Sequence, residues 1–157
     1  MMLPHLVELH MIGRTNLAIA TAALGLGLTV AFAQGDPIAQ RRETMKGVGA
    51  ATRVGTQMTK GEAPFDAAKA KEVLRVYAEA ADRMHNYFPE TAKTGGETTA
   101  APRIWENQAD FRKRFDDWAA DIKTASAQTN DLDSFKVAFG NVTKACGGCH
   151  ETYRIKK

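Results

Sequence analysis

The chain has 157 residues, 44% hydrophobic and 25% charged, the composition of one ordinary globular domain rather than of a disordered or fibrous chain. A net charge of +3 with no basic block speaks against nucleic-acid binding. Only two cysteines are present and they stand three positions apart, so no disulfide framework supports the fold and stability must come from a packed core.

Residues 1–33 read as a cleavable signal peptide. Arg14 precedes an uncharged apolar run from Leu17 to Ala33, which ends in the small-x-small site Ala31-Phe32-Ala33. The stretch before the run is long for such a signal and holds Glu8. Met11-Ile-Gly-Arg14 begins a more ordinary one, which makes Met11 a second candidate start. An uncleaved membrane anchor is the alternative, opposed by Gly25, Gly27 and a run at the short limit for a spanning helix. Cleavage removes His5 and His10, leaves residues 34–157 and sends them to the bacterial periplasm.

Four amphipathic helices follow. Asp36 and Pro37 suit a cap and a first turn, and Ile38, Arg41, Met45, Val48, Thr52 and Gly55 then form one stripe. Lys60-Gly-Glu-Ala-Pro64 breaks the chain, with glycine closing one helix and proline opening the next. From Phe65 the stripe Val73, Val76, Tyr77, Ala80, Met84 and Phe88 predicts a second helix, stopped by Pro89. A polar loop covers Thr91 to Ala101. Pro102 then opens a predicted third helix with the stripe Ile104, Gln108, Phe111, Phe115, Trp118 and Ile122. Asn130-Asp131 caps the fourth, whose stripe is Leu132, Phe135, Phe139, Val142, Cys146, Cys149 and Tyr153. Four such helices on short loops, without strand patterns, predict an all-α, antiparallel up-down-up-down four-helix bundle. Met58 and Met84 fall on core stripes, and His85 beside one, at the surface.

The chemistry sits in Cys146-Gly-Gly-Cys149-His150. Cys-x-x-Cys-His is the pattern of c-type haem attachment, in which two thiols add across the haem vinyl groups and the histidine ligates iron. On a helix the three side chains fall at i, i+3 and i+4 and share one face. A zinc site lacks further cysteines to complete a tetrahedron, a thioredoxin-type pair lacks its βαβ context, and a local disulfide leaves His150 unexplained. Because both cysteines continue the fourth helix's core stripe, the haem belongs inside the bundle.

With this motif at the end of a four-helix chain, residues 37–157 resemble the cytochrome c-prime family, the class II c-type cytochromes. The resemblance is carried by Arg41-x-x-x-Met45-Lys46, Lys60-Gly-Glu-Ala-Pro-Phe65, Phe88-Pro89, Ile104-Trp105 and Ala145-Cys-Gly-Gly-Cys-His-Glu-Thr-Tyr-Arg154. It implies one haem c per chain, held through Cys146 and Cys149 with His150 as proximal iron ligand, and Arg154 close to the proximal side. On the distal side it aligns Met45 with the residue facing the iron. A methionine there is the sixth ligand of low-spin relatives, whereas high-spin members keep that side open to small gases. Met45-Lys46, Gly-Gly in the haem motif and Glu151-x-x-Arg154 resemble the low-spin relatives. The resemblance makes Arg41, and less directly Arg42, candidate haem propionate contacts. Thr98 and Thr99 are placed near the propionates by position alone.

The function this implies is one-electron transport without transformation of a substrate, since methionine ligation favours ferrous iron. The alternative is a five-coordinate cytochrome c-prime that binds nitric oxide or another small gas. A peroxidase is disfavoured because the sequence offers no evident distal acid–base group. Lys136, Lys144, Arg154, Lys156 and Lys157 give the haem helix a basic side, read either as a solvated face or as a steering surface for an acidic redox partner. The family commonly forms homodimers through the first two helices, where Ala50, Ala51, Ala67 and Ala68 are expected on outer faces.

Overall fold

The computed structural model describes residues 35–156, so the expected signal peptide, His5, His10, Met11 and Lys157 lie outside the described residues. Four long helices form the body: α1 (Pro37–Thr59), α2 (Ala67–Met84), α4 (Gln108–Gln128) and α5 (Leu132–Tyr153), with a one-turn helix α3 (Arg103–Glu106) before α4. The helices close a ring in which α1 packs on α2, α2 on α4, α4 on α5 and α5 on α1. None of the described helices is long and apolar enough to cross a membrane.

Each long helix begins at a side-chain cap that satisfies otherwise free backbone N–H groups. The Asp36 carboxylate accepts from the N–H groups of Ile38 at 3.0 Å and Ala39 at 3.3 Å. Asp66 accepts from Ala68 at 2.9 Å and Lys69 at 3.0 Å, so α2 starts after Pro64 rather than on it. Asp131 and Ser134 form a reciprocal capping box at the start of α5. The expected stop at Gly61 is a two-bond Schellman closure: Glu62 N donates to Gln57 O at 2.8 Å and Gly61 N to Met58 O at 3.2 Å. Gly61 has φ +74°, a conformation glycine adopts without a Cβ penalty.

Two expected helix extents need correction. The third helix is not continuous from Pro102. Asn107, at φ −139° and ψ 62°, interrupts it, and its side chain accepts from Asp110 N to start α4 afresh. Gln108, expected on the stripe, is exposed, while Ile104 on α3 still reaches the core at 2% exposure. In the second helix the α-helical part ends at Met84, and a 3₁₀ turn over His85–Tyr87 brings the chain to Phe88-Pro89.

The core follows the remaining stripes. Met58, Tyr77, Phe135, Leu74, Ile122 and Val142 are fully buried. Tyr77 holds the centre, with ring centroids 5.6 Å from Trp118 and 6.4 Å from Phe139. Its hydroxyl shares a 2.7 Å hydrogen bond with Thr52 Oγ1, and burial pushes its pKa up to about 12. Met84 is buried as expected. His85 is half-buried, not a surface residue, with its ring 6.3 Å from Phe115. Ala50, Ala67 and Ala68 lie outside, but Ala51 does not: it faces inward and is 9% exposed.

Candidate haem site

The last turns of α5 carry Cys146, Cys149 and His150 to a cavity of about 250 Å³ between α1, α4 and α5. Met45 and Val48 line it from α1, Phe115 and Trp118 from α4, and Ala145 and Gly148 from α5. Its charged lining is Arg114, Asp117 and Asp121. Helical spacing explains the convergence. Met45 and Val48 sit three apart on the inner stripe of α1, and Arg114, Trp118 and Asp121 follow 4 and 3 spacing on α4. Trp118 is fixed by its indole N–H, which donates to Val142 O across the bundle at 3.2 Å.

The donor set fits haem. Cys146 and Cys149 are free and half-buried, and desolvation raises both thiol pKa values, keeping them protonated for addition to a vinyl group. For His150, desolvation and then the nearby Arg154 charge lower the pKa, which favours the neutral imidazole that ligates iron. A side chain at Gly147 or Gly148 would meet no atom within 4 Å, so the surface between the two thiols is open. Opposite them stand a thioether and aromatic walls, an apolar lining suited to a macrocycle.

Arg41 does not line this cavity. It is 5% exposed and turned toward the chain that links α2 to α3. Its Nε donates to Tyr87 O and its Nη2 to Ala92 O at 2.7 Å, while the guanidinium lies 4.3 Å from the Phe88 ring centroid. Nη1 is buried without a partner, so one donor remains for a further acceptor such as a propionate. Arg42 is exposed and pairs with Glu97 at 2.8 Å. Arg154 is also exposed, and its backbone forms an isolated bridge with Ala100. Thr98 Oγ1 accepts from Ala100 N, and Thr99 O accepts from Ile155 N at 2.8 Å. The bond at Thr99, with that from Ala101 N to Tyr153 O at 3.0 Å, pins the loop to the end of α5. None of these residues lines the cavity. Lys136, Lys144 and Lys156 are exposed, and Lys136 approaches Asp133 at 3.7 Å.

Sequence reasoning missed the polar side of the site. Arg114 Nε donates to Asp110 Oδ2 at 2.9 Å, and the Tyr153 hydroxyl donates to the same oxygen. Asp117 and Asp121 add carboxylates where no acid–base group was expected. The available signal was the 4-3 spacing of charged residues beside the apolar seam of α4.

Residues 36–154 match the family model for Cytochrome C'. The chain belongs to the cytochrome c' family. It is 41% identical over 144 residues to cytochrome c' of Rhodopseudomonas palustris, covering 90% of this chain and 99% of that protein. Cytochrome c-556 of the same organism is 31% identical over 143 residues, covering 88% and 96%. The structure of cytochrome c' from Rhodopseudomonas palustris superposes with a TM-score of 0.76 at 40% identity, covering 79% of this chain and 99% of that one. As a member of the cytochrome c' family, the chain is a c-type cytochrome that binds one haem c covalently, and its helices form that family's four-helix bundle.

Proposed function

We propose that this cytochrome is a periplasmic one-electron carrier whose haem is attached through Cys146 and Cys149 and ligated by His150 and Met45. The observation that carries this reading is that Met45 on α1 and His150 on the neighbouring α5 line one cavity. Met45 and His150 would hold the haem iron through a thioether and an imidazole, and the bound haem would supply one-electron chemistry with little rearrangement of these side chains. Methionine ligation stabilises ferrous iron, and a closed distal face leaves no site at which a substrate is transformed. Arg41 lies outside the cavity lining, and its partnerless Nη1 is the donor it keeps for a haem propionate. Export is supported by the signal peptide expected over residues 1–33, and pairing into a homodimer by exposed Ala50, Ala67 and Ala68 on α1 and α2.

The second reading, a high-spin cytochrome that binds a small gas such as nitric oxide, draws on the greater identity to the relative named cytochrome c' than to cytochrome c-556. The optical spectrum of the ferrous protein with and without carbon monoxide decides between them. Sharp split visible bands that resist carbon monoxide, converted by Met45→Ala to a high-spin spectrum, are expected. A broad high-spin spectrum in the unaltered protein that responds at once to carbon monoxide overturns the carrier reading.

A further inference from the structure

Among the described residues, Arg114 is the one arginine or lysine lining the cavity, where Asp117 and Asp121 of the same helix also stand, and Asp117 is engaged by Lys113 at 2.6 Å. Long arginines on helix surfaces usually sample many rotamers, but Arg114 is held in place. Its Nε is fixed on Asp110 Oδ2 at 2.9 Å, one turn earlier on α4. Its guanidinium lies 5.4 Å from the Tyr153 ring centroid, and Tyr153 is 4% exposed. The Tyr153 hydroxyl closes the arrangement by donating to the Asp110 oxygen that Arg114 uses. Tyr153 packs 5.1 Å from Phe111 and stands three residues after His150, so the network joins α4 to the turn that carries the histidine. Hydrogen bonds from Tyr153 and Arg114 hold the Asp110 carboxyl below the usual carboxylate range, so it is an anion at neutral pH.

We propose that Arg114, positioned by Asp110 and Tyr153, sets the reduction potential of the haem through its charge. A fixed cation beside the cavity favours the less positive ferrous state; solvent weakens the effect, because the Arg114 and Asp110 side chains are 38% and 41% exposed, and the Asp110 anion behind it offsets a further part. Tyr153 is a positioning residue that acts through Arg114, whereas Asp110 both positions Arg114 and opposes its charge directly. The inference rests on the haem occupying this cavity, but not on which group binds the distal side.

The test is a set of redox titrations on the intact haem-loaded protein. Arg114→Gln removes the cation and leaves the anion, so the midpoint falls. Asp110→Asn removes the anion and leaves the cation, so the midpoint rises. Arg114→Lys keeps the charge and holds the midpoint near that of the unaltered protein. Tyr153→Phe keeps both charges and shifts it least. Glu72→Gln, on the exposed face of α2, is the control and leaves it unmoved. Loosened packing that admits water would move Arg114→Gln and Asp110→Asn in the same direction, and that result overturns the proposal, as does no shift in either. The optical spectrum of each variant reports the distal ligand separately. Loss of covalent haem in Cys146→Ala with Cys149→Ala reports whether the haem occupies this cavity.

Discussion

Gly55 of α1 and the ring of Phe139 on α5 meet with no room for a methyl group between them: a Cβ at Gly55 would fall 2.7 Å from Phe139 Cζ. The ring cannot retreat easily, because it is 7% exposed and lies 5.3 Å from Phe135 and 6.4 Å from Tyr77. Gly55 therefore sets how closely α1 approaches the haem-bearing helix. Gly55→Ala gains up to about 1 kcal/mol of helix propensity but overfills the contact, for a net loss of about 1–2 kcal/mol in urea unfolding. Gly47→Ala is the counterpart. With nothing within 4 Å, it is expected to stabilise by up to about 1 kcal/mol.

Thr52 and Tyr77 make a part-buried polar contact in the core, and the two partners are not equivalent. Thr52 Oγ1 also donates to Val48 O at 2.8 Å, whereas Thr52 is the hydrogen-bond partner of the Tyr77 hydroxyl. Thr52→Val strands that hydroxyl and is expected to cost about 1–2 kcal/mol, more than Tyr77→Phe, which leaves Thr52 bonded to its own helix. The pH dependence has a definite sign. A tyrosine with a pKa near 10 unfolded and about 12 folded contributes stability that is complete below about pH 10 and is lost as pH rises to about 12. Chemical unfolding from pH 8 to 12 is expected to show this decline, and Tyr77→Phe to flatten it.

Arg41 gives the third prediction. Its two carbonyl partners, at Tyr87 and Ala92, belong to the turn between α2 and α3, which Trp105 also holds through its indole N–H to Phe88 O at 3.1 Å. Desolvation lowers the Arg41 pKa, yet an arginine stays charged at any working pH, so its donors must be satisfied. Lysine cannot reproduce the planar fork that spans both carbonyls. Arg41→Lys and Arg41→Ala are expected to destabilise by ~3 kcal/mol and to speed amide exchange over residues 85–92. A loss of equal size in haem-free protein assigns the clamp to the fold, while a loss confined to the haem-loaded form assigns it to the propionate.

Much of this organisation was legible in the sequence because it is local. The stripes Val73–Tyr77–Ala80–Met84 and Phe135–Phe139–Val142 bury as their spacing requires, the caps at Asp36 and Asp131 act within four residues, and the Cys146–Cys149–His150 face is one turn of helix. What escaped was set by distant partners or by competition between neighbours. Asn107 prefers to cap Asp110 rather than continue a helix, although the apolar spacing runs straight through it. Arg41 lies on a seam like any core residue, but its partners are 46 and 51 residues away. The Tyr153–Asp110 bond spans 43 residues, and no periodicity encodes it.

The cap of the haem helix supplies a prediction at acid pH. The Ser134 hydroxyl and backbone N–H both bond the Asp131 carboxyl, at 2.6 and 2.8 Å, and hold its pKa below the usual carboxylate range. A folded pKa depressed below the unfolded value of about 3.9 contributes stability that is present above that pH and lost as pH falls through the folded value. Asp131→Asn keeps the capping geometry but removes the titration, so its unfolding midpoint is expected to match the unaltered protein more closely at pH 3 than at pH 7. Asp131→Ala loses the cap and is less stable at both. Because α5 carries the thiols and the imidazole, fraying at its start is more than 10 residues away from them. The optical spectrum of the haem-loaded Asp131→Ala variant at neutral pH is therefore expected to be unchanged while its thermal midpoint drops. A changed spectrum would show instead that the cap at Asp131 and the site at His150 are coupled along the helix.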